Sequence, residues 1–223
     1  MIRILFQGDS ITDGNRYKDP GSRWDLNHQI GHTYVYPIVG KLGYMYPGKY
    51  VFINRGVSSD SVELAAARWQ KDTLDENPDI LSILLGINNS RQLDTDENIR
   101  SFTEVYRSLL TSAREHNPDL KLILIEPFYF PVSEEQKATY DDFIPHFRRR
   151  QDAVRCLAED FGAVFVPLQK EVEDLIARTS PVLLENGCQI SPAAYWLWDG
   201  VHPTEPLHWF IAEKWLEAAA PIL

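Results

Sequence analysis

Five short apolar runs punctuate this chain at wide intervals, and between them lie longer stretches whose apolar residues recur every three to four positions. The runs are IRILF (2–6), KYVFIN (49–54), ILSILL (80–85), LKLILIE (120–126) and AVFVP (163–167). Runs that are apolar throughout, rather than alternating, read as strands buried on both faces. Gly8, Gly56, Gly86 and Pro127 stop four of them. Helical spacing predicts helices over 33–45, from Ser59 through Trp69, over 96–116, over about 140–161, over 168–178, and at the end along Leu207, Ile211, Trp215 and Ala219. Thr204 is the expected N-cap of that last helix. The segments 14–32 and 179–203 read as irregular.

Strands and helices that alternate from end to end require a parallel sheet covered on both faces. Right-handed crossovers make this a three-layer α/β/α sandwich with a five-stranded parallel sheet. At 223 residues and 44% hydrophobic content the chain is read as one domain, 1–223, with a sizeable core. Its 32 Asp and Glu against 22 Lys and Arg give a net charge of −10, which argues against nucleic acid and anionic membrane surfaces as partners. No run is long and apolar enough for a membrane span. The start, MIRILFQGDS, lacks the pattern of a secretory signal, and the expected location is cytoplasmic. Cys156 and Cys188 are too few for a disulfide framework or a cysteine metal cluster.

In folds of this kind ligands bind beyond the carboxyl ends of the strands. Gly8-Asp9-Ser10 follows the first strand, Asn54-Arg55-Gly56 the second and Gly86-Ile87-Asn88-Asn89 the third, and Asp199-Gly200-Val201-His202 lies near the C-terminus. A serine hydroxyl needs a general base, and an imidazole held by a carboxylate supplies one. Ser10, Asp199 and His202 therefore have the parts of a hydrolytic triad. The backbone N–H groups of Ser10 and Gly56 and the side-chain amide of Asn88 are the candidate oxyanion donors. Taken singly, each piece also reads as an ordinary turn or strand end.

Together, FQGDSITDG (6–14), NRG (54–56), GINN (86–89) and DGVHPT (199–204) resemble the SGNH hydrolase superfamily, the GDSL-type esterases and lipases. The resemblance runs over nearly the whole chain. It implies a flavodoxin-like fold, Ser10 as nucleophile with Asp199 and His202, an oxyanion hole of Ser10, Gly56 and Asn88, and no metal or organic cofactor. One block departs from the family pattern: Asn89 stands where Asp is usual, which implies altered hydrogen bonding around Asp9 or Asp13.

The substrate-facing set is expected to hold Asp9, Trp24, His32, Asn89, Phe128 and Trp198. Flat aromatic faces beside polar groups suit sugar rings, and the relatives brought to mind include sugar O-acetyl esterases. The expected activity is hydrolysis of a short acyl ester, chiefly acetyl, on a carbohydrate or related small molecule. A thioesterase or lysophospholipase with the same triad, and a catalytically dead carbohydrate-binding relative, stay open as alternatives. His28 and His32, four apart, are weighed as metal ligands and set aside. Arg23 and Arg91 are either anion binders or plain surface.

Overall fold

The computed structural model describes residues 1–18, 28–91, 95–184 and 186–223, with the backbone alone at Ser90 and Arg91. The chain runs β1 (Ile2–Gly8), α1 (Ser10–Asp13), α2 (Val35–Met45), β2 (Tyr50–Asn54), α3 (Val62–Ala67), a π-helical turn (Gln70–Leu74), β3 (Ile80–Leu84) and a 3-10 turn (Asn88–Arg91). It continues through α4 (Asp96–His116), β4 (Lys121–Ile125), α5 (Glu134–Asp160), β5 (Val164–Val166) and α6 (Gln169–Ala177). A small hairpin, β6 (Val182–Leu183) and β7 (Gln189–Ile190), leads to α7 (Pro192–Trp196) and α8 (Glu205–Ala219).

The five long strands form one sheet in the order β2-β1-β3-β4-β5, every pair parallel. Side chains alternate across a strand, so each apolar run supplies both faces. Ile4, Phe6, Ile123 and Ile125 point into a core shared with Ile38 and Leu42 of α2, Val172 of α6 and Leu207, Ile211 and Trp215 of α8. Leu5, Leu81, Ile83, Leu122 and Leu124 point the other way, against Val62 of α3, Phe102, Tyr106 and Leu109 of α4, and Val154 and Leu157 of α5. This is the expected three-layer α/β sandwich.

Three local expectations change. The fifth helix begins at Glu134, not near 140, because Ser133 and Gln136 form a capping box. The stretch before the last helix contains the β6–β7 hairpin and α7 rather than being irregular throughout. Thr204 does occupy the N-cap of α8 but makes no capping hydrogen bond. Its hydroxyl instead donates to the carbonyls of Tyr195 (2.8 Å) and Trp196 (3.1 Å).

The chain steps from β1 outward to β2 and then returns to β3 on the opposite side of β1. The strand order thus reverses around β1, and the crevice beyond its carboxyl end is where such a sheet opens to a ligand. None of the helices, as described, is long and apolar enough to cross a membrane.

Candidate active site

Ser10 is the first residue of α1, directly beyond β1. Asp9 caps that helix, accepting from the Ile11 amide at 3.0 Å. The amides of Thr12 and Asp13 are taken by the Asp9 carbonyl. Ser10 lines the crevice, and its amide donates to no described group.

From the far end of the chain, His202 Nε2 lies 2.8 Å from Ser10 Oγ. Its Nδ1 lies 2.8 Å from Asp199 Oδ2, while Asp199 Oδ1 accepts from the backbone amides of Val201 (3.0 Å) and His202 (2.9 Å). Partial burial pushes the Asp199 carboxyl up, but the backbone and ring hydrogen bonds of His202 and the Val201 amide outweigh it and hold the group below its ordinary value. The loop is closed by Trp198 N–H donating to the His202 carbonyl at 2.8 Å. Gly200 sits at φ +90°, and a Cβ there would come within 2.7 Å of the Phe130 carbonyl, so the turn requires glycine. The segment after β4 braces this turn: Phe130 N–H donates to the Gly200 carbonyl (3.1 Å), and Gln136 Nε2 to the Asp199 carbonyl (2.7 Å).

Ser10, Gly14, Asn15, Ser58, Ser59, Asn88, Trp198 and His202 line an open cavity of about 510 Å³. Asn88 follows β3, and its Nδ2 donates to the Asp60 carbonyl at 3.0 Å, which leaves the second amide hydrogen for a ligand. Asp60 is itself held by Arg68, with Nε 2.6 Å from Oδ2. Trp198, one of the lining residues, is exposed.

Other expected site residues stand elsewhere. Gly56 is not a donor to the cavity: its N–H is given to Asn54 Oδ1 at 2.9 Å. A Cβ at Gly56 would lie 2.6 Å from the Asp13 amide, so glycine is needed here for approach to the chain's own backbone. That loop lines the cavity with Ser58 and Ser59 instead; the φ of Ser59, +71°, is rare for a residue with a side chain, and its N–H donates to no described group. Sequence reasoning missed it, since any residue type brings a backbone N–H. The signal available was a polar Ser58-Ser59-Asp60 turn a few residues past the end of β2.

Asp9 is fully buried and out of substrate reach; burial pushes its pKa up to about 7, against the Ile11 amide and His202, which lower it. Phe128 is fully buried in the core because the chain after β4 turns inward over the sheet. Asn89 points away from the cavity: Oδ1 accepts from Val62 N–H (3.1 Å) and Nδ2 donates to Glu63 (2.9 Å), pinning the start of α3. His32 is exposed and off the cavity, its ring 5.7 Å from that of His28. No third metal ligand joins that pair among the described residues. Trp24 and Arg23 lie outside the described residues, as does the Arg91 side chain.

Comparison with known proteins matches residues 6–209 to the GDSL-like Lipase/Acylhydrolase family. The chain is 31% identical over 220 residues to an acetylxylan esterase from Geobacillus stearothermophilus, covering 96% of this chain and 92% of that protein. A crystal structure of an acetylxylan esterase from the same organism superposes with a TM-score of 0.77 at 27% identity, over 97% of this chain and 93% of the other. A structure from Parabacteroides merdae described as a GDSL-like lipase gives a TM-score of 0.82 at 31% identity, over 98% and 95%. Catalytic mutants of the Geobacillus esterase have been solved in which a serine, an aspartate or a histidine is changed to alanine, the last two lying three positions apart. With its fold, its strand-end crevice and these matches, the chain belongs to the GDSL-like lipase/acylhydrolase family and is a carboxylic ester hydrolase.

Proposed function

We propose that this protein removes acetyl groups from a carbohydrate through a Ser10-His202-Asp199 triad. The observation that carries the reading is the unbroken hydrogen-bonded line from Ser10 Oγ through the His202 ring to Asp199, 2.8 Å at each step. In this reading His202 Nε2 takes the Ser10 proton as Oγ attacks the ester carbonyl. The oxyanion is held by the amides of Ser10 and Ser59 and by Asn88 Nδ2. His202 then returns the proton to the leaving alcohol, and the acyl-enzyme forms. A water molecule, deprotonated by the same imidazole, releases acetate and restores Ser10. Asp199 keeps the ring in register and stabilises its protonated form.

The lining favours a short acyl group. Apart from Trp198 it consists of serine, asparagine, glycine and histidine, with no apolar wall for a long chain among the described residues. An exposed tryptophan beside polar groups suits the face of a sugar ring. The acetylxylan esterase activity of the Geobacillus relative agrees with this choice.

Acetate release from acetylated xylo-oligosaccharides tests the reading. Wild type is expected to turn over, and Ser10→Ala to lose about 10³-fold or more in kcat, as removal of a triad nucleophile does. Equal rates for the two proteins would refute the triad. A preference for long-chain esters over acetate would refute the substrate class.

A further inference from the structure

Beside the catalytic cavity lies a second cleft of about 420 Å³, lined by Asp13, Asn15, Arg16, Tyr17, Lys18, His28 and Ser58. Asn15 and Ser58 line both, so the two form one trough. Among the described residues its lining holds two permanent cations, Arg16 and Lys18, and one carboxylate, Asp13. One oxygen of that carboxylate is occupied, Asp13 Oδ2 accepting from Ser58 N–H (3.1 Å), Ser58 Oγ (2.8 Å) and Lys18 Nζ (3.0 Å), while Oδ1 is buried with no hydrogen bond.

Arg16 is short of partners as well. Only 7% of its side chain is exposed. Its Nε donates to the Gly56 carbonyl at 3.1 Å, and its approach to Asp13 Oδ1 is a looser 3.6 Å. Neither terminal guanidinium nitrogen donates to a described group, although a guanidinium carries five N–H donors. Burial lowers the Arg16 pKa, the attraction of Asp13 does not make up the difference, and Arg55 adds repulsion. A buried guanidinium short of acceptors at the edge of a substrate cleft is a site for an oxyanion, which the planar fork binds bidentately.

We propose that the cleft at Arg16 and Lys18 binds an anionic group, carboxylate or phosphate, carried by the alcohol portion of the ester, so that the substrate class is an acetylated acidic sugar. The inference rests on the esterase reading of the adjoining cavity and adds to it the charge of the substrate. The net charge of −10 repels anions at a distance, but that field is screened beyond about 8 Å at physiological salt. Recognition at Arg16 therefore acts at contact, through hydrogen bonds.

Three acetyl esters test it: those of methyl glucoside, methyl glucuronide and glucose 6-phosphate. Wild type is expected to favour an anionic ester by about tenfold or more in kcat/KM, the scale of one or two charge-assisted hydrogen bonds. Preference for the glucuronide identifies carboxylate, and preference for the sugar phosphate identifies phosphate. Arg16→Gln and Lys18→Gln are both expected to lower the charged-to-neutral ratio. Lys18, half-exposed, gives a variant that does not threaten folding. Equal kcat/KM on all three esters, or a ratio untouched by both variants, would overturn the proposal. Calorimetric titration of unacetylated methyl glucuronide against methyl glucoside needs no turnover and so separates this inference from the esterase reading. Unacetylated glucose 6-phosphate is titrated alongside them: tighter binding of either acidic sugar than of the glucoside supports the cleft, and equal binding of all three rejects it.

Discussion

Ser59 places a side chain where the backbone needs positive φ, a conformation costing of order 1–3 kcal/mol for a residue with a Cβ. Ser59→Gly is expected to stabilise the fold by about 1 kcal/mol, after the extra unfolded-state entropy of glycine, and to raise Tm by about 2–4 °C. The esterase rate should stay within a few-fold, because the N–H is unchanged. Thermal denaturation with a parallel activity assay checks both, and a lower Tm would show that the serine side chain is itself needed. The same residue marks what the sequence makes legible. In the proposed mechanism Ser10, Asn88, Asp199 and His202 act through side chains, and their identities are visible in the motifs. Ser59 lines the cavity, and in the proposed mechanism it contributes an N–H that every residue but proline owns, whereas the motif points to Gly56. Glycine did signal a close approach, but to the backbone of Asp13. Asp9 and Phe128 were misplaced for a related reason: burial is settled by what folds over a residue, which neighbours in sequence do not reveal.

An uninterrupted apolar period marks the ends of an element closely. The helix expected over 96–116 is α4, Asp96–His116. The apolar spacing predicts α5 too short because its first turns, EEQKATYDDF, are largely polar and carry no apolar stripe. What starts it is the capping box, in which Gln136 Oε1 accepts from the Val132 (2.9 Å) and Ser133 (3.1 Å) amides. The other end of that side chain holds the Asp199 carbonyl. One glutamine therefore ties the start of α5 to the turn that carries Asp199. Gln136→Glu keeps the acceptor of the cap and loses the donor to Asp199. Its Tm is expected within about 2 °C of wild type, consistent with a cap that is largely retained. Its kcat should fall several-fold as the turn loosens. Circular dichroism melts beside initial-rate kinetics test the split, and unchanged kcat would show that the Asp199 turn holds without this brace.

Across the whole molecule, the α/β alternation followed from the spacing of apolar runs, whereas the strand order β2-β1-β3-β4-β5 depends on long-range pairing that no local pattern encodes. Long-range burial also sets the acid response. Burial pushes Asp9 from 3.8 up to about 7, so between about pH 4 and 7 the folded chain keeps a proton that the unfolded chain has lost, and stability falls as pH rises. Burial, with some help from His202, pushes His208 from 6.5 down to about 4, so between about pH 4 and 6.5 the unfolded chain gains a proton that the folded chain lacks, and stability rises with pH. The two slopes oppose each other over the same window. Asp9→Asn, which keeps an acceptor for the Ile11 amide, is expected to leave stability rising with pH. His208→Asn, which keeps an acceptor for the Tyr34 amide, is expected to leave it falling. Urea midpoints from pH 4.5 to 6.5 read the slopes, and curves parallel to wild type would remove both residues from the account. The 192 positions separating Ser10 from His202 carry a consequence for synthesis. A polypeptide growing on the ribosome holds its serine from the outset yet gains the imidazole only as the last elements are made, so under the proposed mechanism an unfinished chain is inert towards esters.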